Sequence, residues 1–421
     1  MKYALVISTT LTLMAAAVQA GSPGVTVEQA ANYQDWGWDA VVVDNGLVTT
    51  AVVPVIGARV MQFDLGENVS IFVNEEEMGK VYPMEADTVW RNYGGFKNWP
   101  APQNRWNWPP PTQLDRGVYE VEVRHAGPDS AVVFCRSPLE EWRTPGLVFE
   151  RTLTLYRGSA RMKVDQTVVN HADTAQHWSM WEITQKVVHH PGQRDFANYW
   201  VYFPLNPASR YGEQGVYGTG LEAFRGEVAP EVGAVEFMPL GAKVFADSHQ
   251  GWLCYVDERD GYAYARTFAL EEEGQYPDDG AVNEVWVSAD PLYLEIEVVS
   301  PIVELAPDGG RYTFTQDWWA ARVKGPIVAV NEVGALANRL AADSSGVSLK
   351  AGVFHVGTAR LVQLNDNGQV VEQGPVQPVT PLATYVLDEG LVAAEGAARA
   401  EVWVWDEAGE LVGSLDGVDL D

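Results

Sequence analysis

Cysteine is scarce in this chain: two, Cys135 and Cys254, stand in 421 residues. That count allows one disulfide or two separate buried thiols and excludes a scaffold stapled by disulfides. Basic charge is scarce as well. Against 57 aspartates and glutamates there are 28 lysines and arginines, a formal net charge of −29. Binding to phosphate backbones needs clustered cations, so nucleic acid is excluded as a partner and anionic membrane surfaces are disfavoured. An acidic surface suits a protein kept soluble in salt, and it weighs against a polyanionic ligand. Helical periodicity is nearly absent too. The best candidate is NEVGALANRLAAD (331–343), with Asn331 as N-cap and Leu336 and Leu340 on one face. No Walker loop, GxSxG, HExxH or CxxC occurs. Nucleotide hydrolysis, serine-esterase and zinc-peptidase chemistry therefore lose their usual support, and no motif asks for a cofactor or a metal.

What the chain does have begins with MKYALVISTTLTLMAAAVQA: Lys2, an apolar core to Val18, then small residues with Val18 and Ala20 before Gly21. This reads as a secretory signal with cleavage after Ala20. The apolar run is too short for a membrane span and no lipobox cysteine follows, so the expectation is a periplasmic or secreted protein without membrane insertion.

Short segments with period-two alternation recur through the rest, among them VVVDNGLVTTAVVP (41–54), LVFERTLTLYRG (147–158), RMKVDQTVVN (161–170), NEVWVSAD (283–290) and LYLEIEVVS (292–300). Turn residues such as Asp44-Asn45-Gly46 separate them, the pattern of antiparallel strands joined by hairpins. No tryptophan lies between Trp319 and Trp403, and the tail turns rich in Val, Gly and Ala. The expected organisation is a signal peptide (1–20), a large β-sandwich (21–325), a linker with a short helix (326–344) and a small β domain (345–421).

One stretch stands out. RNYGGFKNWPAPQNRWNWPPP (91–111) sets three of the sixteen tryptophans beside Gly-Gly, one lysine, two arginines and five prolines. Gly94-Gly95 permits a sharp turn or a close backbone approach, and the prolines hold the chain extended, so a stiff loop is expected. Tryptophan faces stack on the C–H face of a pyranose, while Asn, Gln, Lys and Arg bond its hydroxyls. The candidate ligand-binding residues here are Arg91, Asn92, Lys97, Trp99, Gln103 and Trp106. The same tryptophans would also serve as an ordinary core plug.

The segments GARVMQF (57–63), NYGGFKNWPAPQ (92–103), VVNHADTAQHWSMWEITQ (168–185) and YPDDGAVNEVWVSADPLYLEIEVVSPIVELAPDGG (276–310) resemble those of an uncharacterised family of exported proteins. That family is placed in the galactose-mutarotase-like superfamily, and the likeness covers roughly residues 25 to 325. It implies an all-β fold, an antiparallel β-supersandwich with a carbohydrate-binding face, here followed by the small C-terminal β-sandwich. Fold alone does not fix function, because the superfamily hosts epimerases, lyases, glycosidases and noncatalytic modules.

A mutarotase needs an acid at the ring oxygen and a base at the anomeric hydroxyl, supplied in that enzyme family by a histidine and a carboxylate. Asn170 matches the residue preceding the histidine motif, but Glu182 or Ile183 falls where the histidine would stand. On a strand Glu182 and Thr184 share one face, and Trp181, Ile183 and Gln185 the other. Glu182, Gln185 and His189 are therefore site candidates. Glu284, Glu295 and Glu297 are candidates for a late-strand carboxylate base, Glu295 and Glu297 pointing to one face. Asp278 and Asp279 read as a solvated acidic turn. The readings left open are an epimerase-like enzyme acting on a sugar or oligosaccharide, a lyase or glycosidase using Arg91, Tyr93 and Lys97, and a noncatalytic sugar-binding protein.

Overall fold

The computed structural model describes residues 21–84, 89–189, 196–343 and 346–420. The signal segment 1–20 lies outside the described residues. Nearly all regular structure is antiparallel β, and among the described residues it forms two large sheets and two small ones.

The first large sheet, of eleven strands, runs in the order Thr26–Ala30, Ala40–Asp44, Val48–Val53, Arg59–Leu65, Phe96–Ala101, Gln176–Lys186, Leu292–Val299, Asn283–Ala289, Ala242–Ala246 and Val216–Thr219, with Val303–Leu305 beside Gln176–Lys186. The second, of ten strands, has Gly310–Arg322 and Arg161–Asn170 near its centre. The inner faces of the two sheets share one apolar core, in which Phe63 and Phe96 from the first meet Trp318 of the second edge to face at 5.5 and 4.9 Å. Alternation along each strand decides which side chains enter this core and which face away from it.

Charged groups also enter the core. Glu182 and Arg266 are both fully buried between the sheets, with Arg266 Nε 3.9 Å from Glu182 Oε1 and its guanidinium 3.5 Å over the Trp318 ring. Lys186 is fully buried there too, its ammonium 4.5 Å from the Tyr264 ring, and Asp64 is buried as well, taking hydrogen bonds from Ser70 N and Gln62 Nε2. Cys135 and Cys254 are buried free thiols.

The tryptophan-rich stretch is not a loop throughout. Phe96–Ala101 is a central strand, paired along its length with Gln176–Lys186 and at one position, Val60↔Phe96, with its other neighbour. That one-sided pairing tolerates Pro100, whose missing N–H faces no partner. The Pro100 carbonyl is taken up by the Trp106 indole N–H at 2.7 Å. Gly94 and Gly95 enter this strand at φ +90° and +75°, and a Cβ on Gly94 would sit 2.2 Å from the Phe72 carbonyl oxygen.

The C-terminal unit begins earlier than the composition suggests. Its two five-stranded sheets include Ala329–Val330 and Gly334–Leu336, so the segment 331–343 is not a helix but two short strands with a connection. Asn331 explains the difference. Its side chain accepts from Val333 N and Gly334 N and donates to Leu415 O, closing a tight turn instead of capping a helix, while Leu336 and Leu340 enter the small sandwich's core. Trp319 stacks on Phe354 at 4.9 Å within the apolar cluster that joins the two units.

Candidate functional site

Five adjacent strands of the first sheet present one face away from the second sheet, and register dictates who shares it. Trp99 pairs with Trp181, Gln185 with Glu295, Glu284 with Glu297, Trp286 with Glu295 and with Lys243, and Phe245 with Glu284. Directly opposed residues of an antiparallel sheet point to the same side. Lys97, Trp99, Trp181, Gln185, Tyr293, Glu295, Glu297, Glu284, Trp286, Lys243 and Phe245 therefore form one surface. Trp90, Gln103 and Trp108 from the flanking segments and Asp278 from a turn wall it in, leaving a cleft of about 450 Å³. That is within the range of small-molecule sites.

One wall is aromatic. Trp99 is its hub, meeting Trp90, Trp106, Trp108 and Trp181 edge to face with centroids 5.4 to 6.0 Å apart. Its indole N–H is spent on Asp115 Oδ1 at 2.7 Å, and Asp115 in turn holds Arg59 at 2.8 Å, so the ring is fixed from behind. Trp108, half exposed, forms the rim.

The floor is ionic. Lys243 Nζ lies 2.6 and 2.7 Å from the two oxygens of Glu297 and 2.7 Å from Glu284 Oε2. The Trp181 indole also donates to Glu297, at 2.6 Å. Glu284, by contrast, accepts no hydrogen bond from any other group among the described residues, although it is buried. Burial pushes its carboxyl up to about 8, against the opposing pull of Lys243. Burial raises Glu297 too, with Lys243 and the hydrogen bond from the Trp181 indole acting against it. Burial alone would lower Lys243; Glu284 and Glu297 outweigh it and push the ammonium above its usual value. Alongside, Glu295 Oε1 accepts from Lys97 Nζ at 3.0 Å and from Gln185 Nε2 at 2.8 Å. Burial lowers Lys97, with Glu295 acting against it.

The structure thus brings Glu284, Glu295, Trp99 and Gln103 to the cleft lining, with Lys97 and Gln185 holding Glu295 from beneath. Trp106 stands behind Trp99. Other candidates lie elsewhere. Glu182 is on the opposite face of its strand, inside the sandwich, where Thr184 Oγ1 donates to it at 2.5 Å and burial pushes it up to about 7. His189 is exposed past the end of that strand, its ring 5.7 Å from Phe196. The Arg91 guanidinium sits 4.1 Å over the Tyr82 ring, and Asn92 uses its side-chain oxygen on Gly94 N at 3.3 Å. Tyr93 is in the core. The arginine and tyrosine named for uronate chemistry are therefore not cleft-lining, and Lys97 is already paired.

Several cleft residues carry little sequence signal. Lys243 and Phe245 come from a strand, AKVFA, with no distinctive motif, and Asp278 reads as an ordinary surface turn. Glu297 was legible from its alternation with Glu295. Among the described residues no group of three or more His, Cys, Asp or Glu side chains is placed to hold a metal ion, and no helix is long and apolar enough to cross a membrane.

Fold and cleft together define an all-β protein whose large antiparallel sheet carries an aromatic, carboxylate-lined cleft on its outer face. No protein-family model matches the chain, and no curated protein matches it. Solved structures do. A Synechocystis protein is similar at 13% identity over 67% of this chain and 94% of its own, with TM-score 0.47. A galactose mutarotase related enzyme from Lactobacillus acidophilus is similar at 9% identity, covering 68% of this chain and 98% of that one, TM-score 0.43. A galactose mutarotase-like protein from Clostridium acetobutylicum gives 11% identity, 72% and 99% coverage, and TM-score 0.44.

Proposed function

We propose that the cleft is a sugar site and that Glu284 and Glu297 carry acid–base chemistry at the anomeric carbon of a reducing sugar. Opening a pyranose needs a proton delivered to the ring oxygen and one removed from the anomeric hydroxyl. Both oxygens are bonded to the same carbon, so the acid and the base must stand side by side. The observation that carries the reading is the side-by-side pair itself: Glu284, raised by burial and therefore protonated near neutrality, opposite Glu297, kept charged by Lys243 and Trp181. The indole wall supplies the stacking face for the ring. Lys243 binds both carboxylates and steadies the pair as the proton moves from one to the other.

Polarimetry on freshly dissolved α-D-glucose and α-D-galactose tests this. The protein accelerates the approach to anomeric equilibrium beyond the buffer rate, and Glu297→Gln abolishes the acceleration. Sugar binding in titration calorimetry without acceleration would reduce the cleft to a binding site. Neither binding nor acceleration with any reducing sugar would remove the reading.

Residues 1–20 are proposed to direct export, on the strength of Lys2, the apolar core and the small residues before Gly21. Intact mass of the protein recovered from a bacterial host's periplasm checks it: the mature chain starts at Gly21, and a full-length chain retained in the cytoplasm contradicts it.

A further inference from the structure

The turn Pro277–Gly280 is built unlike its neighbours. Asp278, Asp279 and Gly280 adopt φ of +49°, +56° and +92°, three left-handed residues in succession, two of them not glycine. Such backbone persists only where its surroundings over-determine it. Here two tyrosine hydroxyls do so: Tyr217 donates to the Asp278 carbonyl at 2.7 Å and Tyr211 to the Asp279 carbonyl at 3.0 Å. The two rings pack at 4.6 Å, and Tyr217 stacks on the cleft residue Phe245 at 4.6 Å with planes 12° apart. The turn is thereby fastened to the wall of the cleft, and the Asp278 side chain lines it.

Charge is unevenly matched in that cleft. Lys97 is taken by Glu295, and Lys243 serves Glu284 and Glu297 together. The Asp278 side chain makes no hydrogen bond or ion pair among the described residues, and it is half-buried at the cleft wall. Glu284, 1% exposed and lining the same cleft, has Lys243 as its one ionic partner among the described residues, and it shares that ammonium with Glu297. With Glu284 protonated, the carboxylates of Asp278, Glu295 and Glu297 still outnumber the two lysines, amid indole faces that attract cations.

Resting on the reading of the cleft as a sugar site, we propose that Asp278 is its specificity-determining residue and that the preferred ligand is an amino sugar with a free, protonated amine. The amine supplies the missing positive charge. A neutral hexose leaves Asp278 with hydroxyl contacts alone, and an N-acetyl group both removes the charge and brings an acceptor toward a carboxylate. A uronate or sugar phosphate adds to the surplus and is rejected.

Calorimetric titration at pH 7 with D-glucosamine and D-galactosamine, against D-glucose, D-galactose and the two N-acetylhexosamines, decides the matter. An amino sugar is expected to bind about tenfold tighter than its neutral and N-acetylated counterparts, because a charge-assisted bond replaces a neutral one. Asp278→Asn brings amino and neutral sugars to parity; asparagine tolerates left-handed backbone, so the turn is kept. Tyr217→Phe, which frees the Asp278 carbonyl, narrows the same preference and provides a second reading. If neutral sugars bind as tightly as amino sugars, or Asp278→Asn keeps the preference, this inference is overturned while the sugar site stands. If no sugar of the panel binds, the sugar site itself falls and this inference with it.

Discussion

Glu284 and Glu297 stand directly opposite one another on adjacent antiparallel strands, two buried carboxylates joined through the single ammonium of Lys243. Like charges at opposed positions of a sheet repel, and burial removes the water that would screen them. The arrangement holds only with the lysine in place and with the proton count it enforces. Stability and chemistry at this face are therefore tied to the same three side chains.

Removing Lys243 is the direct check. Lys243→Met leaves two buried carboxylates without a cation, and breaking a buried pair in this way costs about 3–5 kcal/mol. Urea unfolding should show a loss of that order, and Glu297→Gln in the same background should restore part of it by removing the charge that Lys243 held. A Lys243→Met protein as stable as the parent contradicts the ionic floor described here.

The interior acid behaves differently. Glu182 is fully buried, and burial lifts it from 4.5 to about 7. A carboxyl raised on folding binds its proton more tightly in the folded state. Its stabilising contribution is full below the unfolded value near 4.5 and is lost as pH rises through about 7. Glu182→Gln does not titrate, so the variant gains on the parent between those limits, by roughly 3 kcal/mol at most. Thermal melts from pH 4 to 8 read this out. Sugar binding by the variant is unchanged, because Glu182 faces the opposite side of the strand from the cleft; a variant that folds but no longer binds would place Glu182 in the site after all.

Much of this was legible in the sequence, and the exceptions have physical causes. Alternation marked the strands, and the pairing of Glu295 with Glu297 on one face followed from period two alone. The same rule stated that Glu182 and Gln185 lie on opposite faces, but it could not say which face was open, because Trp181 and Ile183 look as suited to a core as Glu182 looks suited to a site. The interior of this sandwich takes Glu182 because Arg266, distant in sequence, and Lys186, on the same face of its own strand, sit there too. Lys243 was invisible for the same reason: a lysine on a short strand acquires meaning only when register sets it beside Glu284 and Glu297. The false helix at 331–343 came from a spacing of leucines that two short strands satisfy equally well once Asn331 turns the chain.

Gly94 and Gly95 shape the entry to the strand that carries Trp99. Alanine at Gly94 would place its Cβ 2.2 Å from the Phe72 carbonyl oxygen in a left-handed conformation, a backbone contact that cannot give way. Gly94→Ala should cost upward of about 3 kcal/mol in urea unfolding. Gly95→Ala meets first the flexible tip of Met61, at 2.5 Å, and is expected to cost less. Equal, small effects at the two positions would show that the segment relaxes freely.

The tryptophans separate by burial. Trp99, 5% exposed and in contact with four other indoles, is structural as well as cleft-lining, so Trp99→Ala should lose about 3–5 kcal/mol of stability. Trp108, 50% exposed at the rim, should cost little stability when truncated but weaken sugar affinity about tenfold through the lost stacking face. Titration by intrinsic fluorescence measures both variants, and a Trp108→Ala protein with parental affinity would remove that ring from the ligand's path.

The acid assigned to Glu284 makes a claim about pH. Burial lifts its carboxyl to about 8, and the proposed chemistry uses the protonated form. Activity is then held on the acid side of that value and falls as pH rises through it, about tenfold per unit once the proton is gone. Glu297 must remain ionised, which sets a separate acid limb, so kcat/KM for anomeric interconversion traces a bell whose alkaline side belongs to Glu284. Glu284→Gln should lose about 10²- to 10⁴-fold in rate and, having no proton to lose, should show no alkaline limb near pH 8. If that limb survives in Glu284→Gln, another group is the acid, and the pairing of Glu284 with Glu297 serves the architecture of the floor alone.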